Sequence, residues 1–408
     1  MRKNPIALLL AAILSGSTSV ASAATWQAGD WELGLGGNVN TFYTVTQCDS
    51  GKLGAGGGTM TGLACLDPDT GTLTDGDTHS VSNGLLPASL NFSAKTKQNG
   101  YDISGNVNVY YGTATQDTNK LPGDALDFST VDARQVYLTF GNERMGTVKA
   151  GRDFGLFGFD PIINDMSLSG NGAMFTAAGP GHTTLGGLGF GYVYTDRLSQ
   201  INWSSPKKNG FEATVGVFNP VDGQESNGVT SQSTRDGGQP GFHGKASYDF
   251  DRGNGVKGHV SVSGLSQKVK LANGNKPSIT GAEVFGKVDI NKASFAASYY
   301  QGKGMDTLGI GGIIFPGFDS TTGEAEKSKG GMVQATYKLG KTKLGLNLAQ
   351  SKQTHLTNVK NDKVTLGAYH SLTDNLSLIG EVSRQKSDLE GVGTDKSGSV
   401  AVGAMLSF

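Results

Sequence analysis

From about residue 30 onward, apolar and polar positions alternate with period two. In Trp31-Glu32-Leu33-Gly34-Leu35-Gly36-Gly37-Asn38-Val39-Asn40 the odd positions are mostly apolar and the even ones small or polar. This predicts a strand with one apolar and one wet face. A second run puts Leu86, Ala88, Leu90, Phe92 and Ala94 on one face. After Gln98-Asn99-Gly100, a third shows Tyr101, Ile103, Gly105, Val107, Val109 and Tyr111. Asn-Gly supplies the positive φ values that a tight hairpin requires.

Read this way, the chain predicts sixteen strands, at about 30–47, 85–97, 101–112, 132–141, 146–153, 189–205, 210–218 and 241–250, then 256–269, 278–290, 293–302, 329–339, 342–353, 362–372, 376–386 and 396–408. Their connections alternate in length. Short ones, such as Gln98-Asn99-Gly100, Asn291-Lys292, Gly340-Lys341 and Thr373-Asp374-Asn375, take turns with long ones around 48–84, 113–131, 154–188, 219–240, 270–277, 303–328, 354–361 and 387–395. An even strand count with tight turns on one rim and long loops on the other is the pattern of a transmembrane antiparallel β-barrel with short periplasmic turns. A soluble β-sandwich gives no reason for it. The last strand agrees: Val400, Val402, Ala404, Leu406 and Phe408 share one face, which puts the terminal aromatic where an interfacial girdle belongs.

Composition narrows the choice. The 408 residues include 63 Gly, with 36% hydrophobic and 17% charged side chains, against usual values of about 45–50% and about 25%. Two or three water-soluble cores are hard to fill from such a chain, whereas a barrel needs only alternate residues on its lipid face. The net charge of −1 is too small for a disordered, self-repelling chain.

The first residues set the compartment. Arg2 and Lys3 precede the apolar run Ile6 to Leu14, and Ala21-Ser22-Ala23 follows as an A-x-A cleavage pattern. The expectation is a secretory signal peptide at 1–23 and a single barrel domain at 24–408. Loss of Arg2 and Lys3 takes the net charge to −3. No later run approaches the roughly 18 apolar residues of a spanning helix, so a closed barrel is the membrane structure left open.

Cys48 and Cys65 are the only cysteines. In an oxidising exported compartment they are expected to pair, closing a loop worth about 3 kcal/mol in the chain-entropy model. In the same connection Asp67, Asp69, Asp75 and Asp77 crowd four carboxylates together, a weak calcium candidate. No Glu stands where a complete calcium loop needs one, and acidic turns are the commoner reading. The six His (79, 182, 243, 259, 355 and 370) form no metal-binding or catalytic spacing, and no nucleophile elbow has strand–turn–helix context. No enzyme and no cofactor is expected.

Three stretches carry a family resemblance: Ala133-Arg134-Gln135-Val136-Tyr137-Leu138 with Gly146 to Arg152, Asn202-Trp203-Ser204-Ser205-Pro206 before Gly210-Phe211, and the final strand ending in Phe408. The chain resembles a Gram-negative general, non-specific trimeric porin of the sixteen-stranded kind, over essentially its whole length past residue 23. The long first loop with its two cysteines departs from that pattern. The resemblance implies an outer-membrane location, a homotrimer, and a water-filled channel for ions and small hydrophilic solutes. Outer-membrane lipid and lipopolysaccharide are then its surroundings, and nucleic acid is no partner. The alternative is an outer-membrane barrel whose surface loops bind a ligand or a cell surface.

The resemblance also implies a third loop, here about 154–188, folded into the pore. Its own composition points the same way, because Phe154, Phe157, Phe159, Ile162, Ile163 and Met166 are badly placed in water; the alternative is a loop that covers the barrel mouth or packs on a neighbouring subunit. Strand phase puts His243, Lys245 and Asp249 on the lumen face, opposite in phase to Phe242, Gly244, Ala246 and Tyr248. Lys149 is inward by the same argument, as are Glu212, Glu283, Lys287, Lys338, Lys343 and Glu381. The expected constriction sets Asp160 and Asp165 of the third loop against Lys149 and Lys245, with Arg134 or Arg152 at the strand ends completing a family-like basic cluster. Charged lumen residues of this kind set ion preference.

Overall fold

A computed structural model describes residues 24–49, 59–65, 76–113, 131–175, 183–231, 233 and 239–408. The expected signal peptide, and Asp67, Asp69 and Asp75, lie outside these residues.

The strands are β1 Ala24–Ala28, β2 Trp31–Asp49, β3 Gly76–Ser82, β4 Ala88–Gln98, β5 Tyr101–Tyr111, β6 Val131–Asn142, β7 Gly146–Phe154, β8 Arg197–Ser204 and β9 Phe211–Phe218, followed by β10 Gly241–Gly253, β11 Val256–Lys268, β12 Ser278–Ile290, β13 Ala293–Lys303, β14 Lys327–Leu339, β15 Thr342–Thr354, β16 Asn358–Ser371, β17 Leu376–Leu389 and β18 Gly393–Ser407. Each wall strand pairs antiparallel with its neighbours. β18 closes the ring on β2, from Lys396 opposite Asp49 to Ser407 opposite Asn38. The wall is a closed sixteen-stranded antiparallel barrel made of β2 and β4–β18.

All sixteen expected wall strands are present, and two short strands were not legible. β1 pairs with the first residues of β2 and fills the place beside them that β18 leaves empty past Phe408. β3 pairs with the outer half of β2 while β4 pairs with its inner half. Asp77, one of the calcium candidates, is therefore a β3 residue opposite Gln47.

Three expected boundaries change. The sixth wall strand begins at Arg197 rather than 189, so residues 189–196 belong to the preceding connection. The long connections expected at 354–361 and 387–395 shrink to 355–357 and 390–392, because both hairpins stay paired well above their last apolar pair. The alternation fades there because outward side chains become charged, although the ladder continues.

Alternation produces the two-faced wall. Val400, Val402, Leu406 and Phe408 are 40–53% exposed, whereas Ser397, Ser399 and Ala401, in the opposite phase, are buried. On the inner rim Asn99 (φ 50°) and Gly100 (φ 81°) make the expected tight turn. The terminal Phe408 exchanges two backbone hydrogen bonds with Gly37, at 2.7 and 3.0 Å, which fastens the chain end to β2.

Candidate functional site

The polar face of the wall meets the connection between β7 and β8. This connection contains a short helix, α1 Phe159–Asn164, and a 3-10 turn, Met166–Ser169. Its polar groups bond one wall strand after another. The Gly158 amide donates to Glu283 of β12 at 3.2 Å. Asp160 accepts from Lys245 of β10 at 2.9 Å and from Ser261 of β11 at 2.5 Å. The Met166 amide donates to Gln334 of β14 at 2.7 Å, and Gln334 returns a bond to the Asn164 carbonyl. The amides of Asn171 and Gly172 both donate to one Glu381 oxygen of β17 at 2.7 Å. Asn171 also reaches Thr44 of β2. Gly170 lies so close to Glu381 that a Cβ there would meet the carboxylate at 2.3 Å.

Apolar packing accompanies these bonds. Ile162, Leu168, Leu185, Leu188, Phe190 and Tyr192 of the connection cluster with Phe285, Ala296, Met332 and Ala349 from β12–β15. Those wall residues point inward, where water would otherwise meet them. Burying them under a loop supplies the hydrophobic term that holds the loop there.

Asp160 is the electrostatic centre of the attachment. Its Oδ2 also lies 3.5 Å from His259 Nε2, an ion-pair contact too poorly aligned for a hydrogen bond. His259 Nδ1 is 2.7 Å from Asp249, which meets Lys207 at 2.6 Å. Acidic and basic groups thus alternate from α1 to the turn joining β8 and β9. Burial alone would raise the Asp160 pKa. Lys245, the hydrogen bond from Ser261 and the nearby His259 outweigh it and hold the carboxyl well below the usual carboxylate range.

Another stretch of wall, β5–β7, carries a second network. Tyr110 donates to Gln135, Gln135 donates to Asp153, and Asp153 accepts from Lys149 at 2.5 Å. Arg134 stacks over Tyr110 at 4.7 Å and bonds Asp132 at 3.1 Å. Phase from the outward Val136 would turn Arg134 outward. A bulge opposite Asn108 and Val109 resets the register and turns it inward.

The structure redistributes the expected constriction residues. Lys245 meets Asp160 directly. Lys149 is inward, but its partner is Asp153 four residues along its own strand. Asp165 does not meet Lys149 or Lys245: it caps the 3-10 turn through Ser167 and accepts from Tyr192 at 2.6 Å. Arg152 pairs with Val136 and shares its exposed apolar face, so it stands away from the loop acids. Asp132, Asp153, His259, Ser261 and Gln334 were not singled out from sequence. His259 was within reach, since Val260 and Val262 fix its phase and it lies directly opposite Asp249.

At the outer mouth, Cys48 and Cys65 form a disulfide. It holds Thr59–Cys65 of the first connection over the inner wall. Thr59 donates to Asp395, the Thr61 amide donates to Ser387, and Met60 is fully buried beside Gly189.

A closed barrel with an apolar outer face and a charged inner face defines an outer-membrane channel protein. The chain belongs to the Gram-negative porin family, whose model matches residues 7–389. No curated protein matches the sequence significantly. Among solved structures, the outer membrane channel DcaP of Acinetobacter baumannii is 15% identical with a TM-score of 0.70, covering 94% of this chain and 100% of that one. The anion-selective porin from Comamonas acidovorans is 16% identical with a TM-score of 0.62, covering 93% and 100%. The trimer form of OmpT, an outer membrane protein of Vibrio cholerae, is 12% identical with a TM-score of 0.53, covering 93% and 99%. At such identities the likeness is one of fold. Family and fold together make the protein a passive diffusion channel of the outer membrane.

Proposed function

We propose that the third connection narrows this channel, and that solutes pass between α1 and the wall of β5–β7. One observation carries the reading: Asp160 on α1 bonds Lys245 on the polar face of β10. The bonds from Gly158 to Asn171 then continue from β12 to β17 and β2. This leaves the face with Arg134, Lys149, Asp153, Tyr110 and Tyr137 across from the loop. Asp160 and Lys245 on one side, with Arg134 and Lys149 on the other, set the field a permeating ion meets. Asp165 caps its own turn and lies within electrostatic reach of Lys343 and Lys363 on β15 and β16, and Arg152 is not part of the passage.

The protein is a passive pore rather than an enzyme, exported by cleavage after residue 23 and assembled as a homotrimer. The trimer form of the OmpT structure supports the last point. The experiment is single-channel recording in planar bilayers. Stepwise ohmic openings in sets of three are expected, and bilayers that stay sealed at saturating protein refute the channel.

A further inference from the structure

The third connection is not alone inside the barrel. The sixth long connection, residues 304–326 between β13 and β14, also turns inward. The Thr307 amide donates to Gln353 on the inner face of β15 at 3.2 Å, and Asn361 of β16 donates to the Thr307 hydroxyl at 3.4 Å. The Leu308 carbonyl accepts from the Tyr194 amide at 2.8 Å, three residues before β8. Leu308 and Ile314 then pack into the cluster that holds Ile162, Phe190 and Tyr192 of the third connection. Gln353 is next to the outer end of β15, so the sixth connection lies on the third from the side of the outer mouth.

One side chain gives this connection its shape. Asp306 is fully buried, and its two carboxyl oxygens accept from five backbone amides. Oδ1 takes those of Leu308 and Gly309 at 2.9 and 2.6 Å. Oδ2 takes those of Ile313, Ile314 and Phe315 at 2.9, 2.6 and 3.1 Å. Hydrogen bonds to a charged acceptor are roughly twice as strong as neutral ones, so residues 308–315 are wound firmly around this carboxyl. The ring is tied outward as well: Gln224 of the fourth connection donates its amide to the Gly311 carbonyl and accepts from the Gly317 amide, both at 2.9 Å. Met305, Ile310 and Phe318 are buried in an apolar cluster with Phe157 and Val193 of the third connection. Ile313 is the exception, at 51% exposure. Its amide is held by Asp306, while its side chain stands in water beside Ile314, which is packed against the third connection.

We propose that the sixth connection is a second narrowing of the channel, in series with the third, where Ile313 meets the permeating solute and Asp306 is the positioning residue. The inference rests on the reading that the third connection narrows the passage. An exposed apolar side chain adds nothing to the packing of its own loop, whereas one held rigidly over the entrance reduces its cross-section. The two narrowings divide the work. Charged groups such as Asp160 and Lys245 set ion preference, and Ile313, which carries no charge, sieves by size without regard to sign.

The test uses the folded protein in planar bilayers. Ile313→Ala should raise single-channel conductance and leave the reversal potential in a salt gradient unchanged. Asp160→Asn should move the reversal potential, so failure of this inference and failure of the third-connection reading are told apart. Cys48 and Cys65 are joined in the disulfide, so Ile313→Cys supplies a single reactive thiol. Labelling it with a negatively charged methanethiosulfonate should lower the current stepwise and shift the reversal potential towards cations. A positively charged reagent should lower the current and shift the potential towards anions, because a charge within the Debye length of about 8 Å is felt by passing ions. The same reagents on Val392→Cys, at the tip of the β17–β18 hairpin, should do neither. Asp306→Ala leaves five amides without an acceptor and, combined with Ile313→Cys, should spread the blocked current over several levels. Asp306→Asn retains an acceptor oxygen and should spread it less, with the wall of both variants still resistant to heat in detergent. Wild-type conductance in Ile313→Ala, or complete labelling of Ile313→Cys with current and reversal potential unchanged, overturns the narrowing. A single sharp blocked level in the Asp306→Ala protein overturns the positioning role.

Discussion

Asp160 Oδ1 and Lys245 Nζ stand 2.9 Å apart, joining the short helix of the third connection to the polar face of β10. Both side chains are largely withdrawn from water, at 5% and 15% exposure, so the pair is screened less than a surface ion pair. Asp160→Asn removes the negative end and leaves Lys245 uncompensated on the polar face of β10. The expected result is a reversal potential in a salt gradient shifted towards anions, with the barrel still folded, because lumen substitutions tune selectivity more than stability. An unchanged reversal potential would place the constriction elsewhere.

Acid should leave this attachment intact for an unusually long way. The folded-state pKa of Asp160 lies well below the usual range, whereas an unfolded Asp titrates near 3.9. A depressed pKa contributes stability that is full above the unfolded value and is lost as pH falls towards the folded one. Lowering the pH from 7 to about 4.5 should therefore not protonate Asp160. In a His259→Gln background, any selectivity change over that interval should persist when Asp160→Asn is added, and a change that then vanishes contradicts the argument.

The disulfide of the first connection holds Thr59, Met60 and Thr61 against the inner wall at the outer mouth. Replacing both Cys48 and Cys65 by Ser should leave the sixteen-stranded wall intact, since neither residue is needed for its pairing. It should release a loop whose closure is worth about 3 kcal/mol in the chain-entropy model. Single-channel records should show higher conductance or more open-channel noise. Records that match the wild type would mean that this segment does not obstruct the passage.

Most of the wall was legible in sequence because a strand's faces repeat every two residues and the membrane makes one of them apolar. The strand from Val400 to Phe408 can be phased by inspection. The tops of β16 and β17 could not, since Lys360, Asp362, Arg384 and Lys386 replace the apolar signal while the ladder continues. The site was legible only in part. Lys245 and Asp160 follow from phase and from the apolar character of the loop. Arg134 does not, because a bulge reverses its face. Nor does the pairing of Lys149 with Asp153, since both are inward on one strand and sequence does not say which charge each will choose. Asp165 pairs with neither Lys149 nor Lys245 for a local reason: an Asp before a tight turn caps the turn's own amides.

Glu381 accepts from the amides of Asn171 and Gly172 and from the Tyr369 hydroxyl. It is the far anchor of the third connection, as Asp160 is the near one. Glu381→Ala leaves two buried amides without an acceptor, at about 1–3 kcal/mol each, confined to the loop. The channel should open into several conductance levels while the barrel keeps its resistance to heat in detergent. Glu381→Gln retains an acceptor oxygen and should restore most of the single-level behaviour. Identical records from the two variants would sink the anchoring role.

The two inward lysines named from sequence can be told apart by experiment. Lys245 holds α1, so Lys245→Gln removes a positive charge and also half of an attachment. Lys149 pairs with Asp153 on its own strand and stacks over Tyr137 at 4.7 Å, so Lys149→Gln removes a charge from the facing wall and touches no loop contact. Both changes leave a carboxylate behind, Asp160 in one case and Asp153 in the other, and both should move the reversal potential towards cations. Only Lys245→Gln should also add open-channel noise, because only there does the helix lose a tether. If Lys149→Gln proves the noisier protein, the third connection is anchored on the wrong side in this account, and the passage runs along β10 and β11 instead of β5–β7.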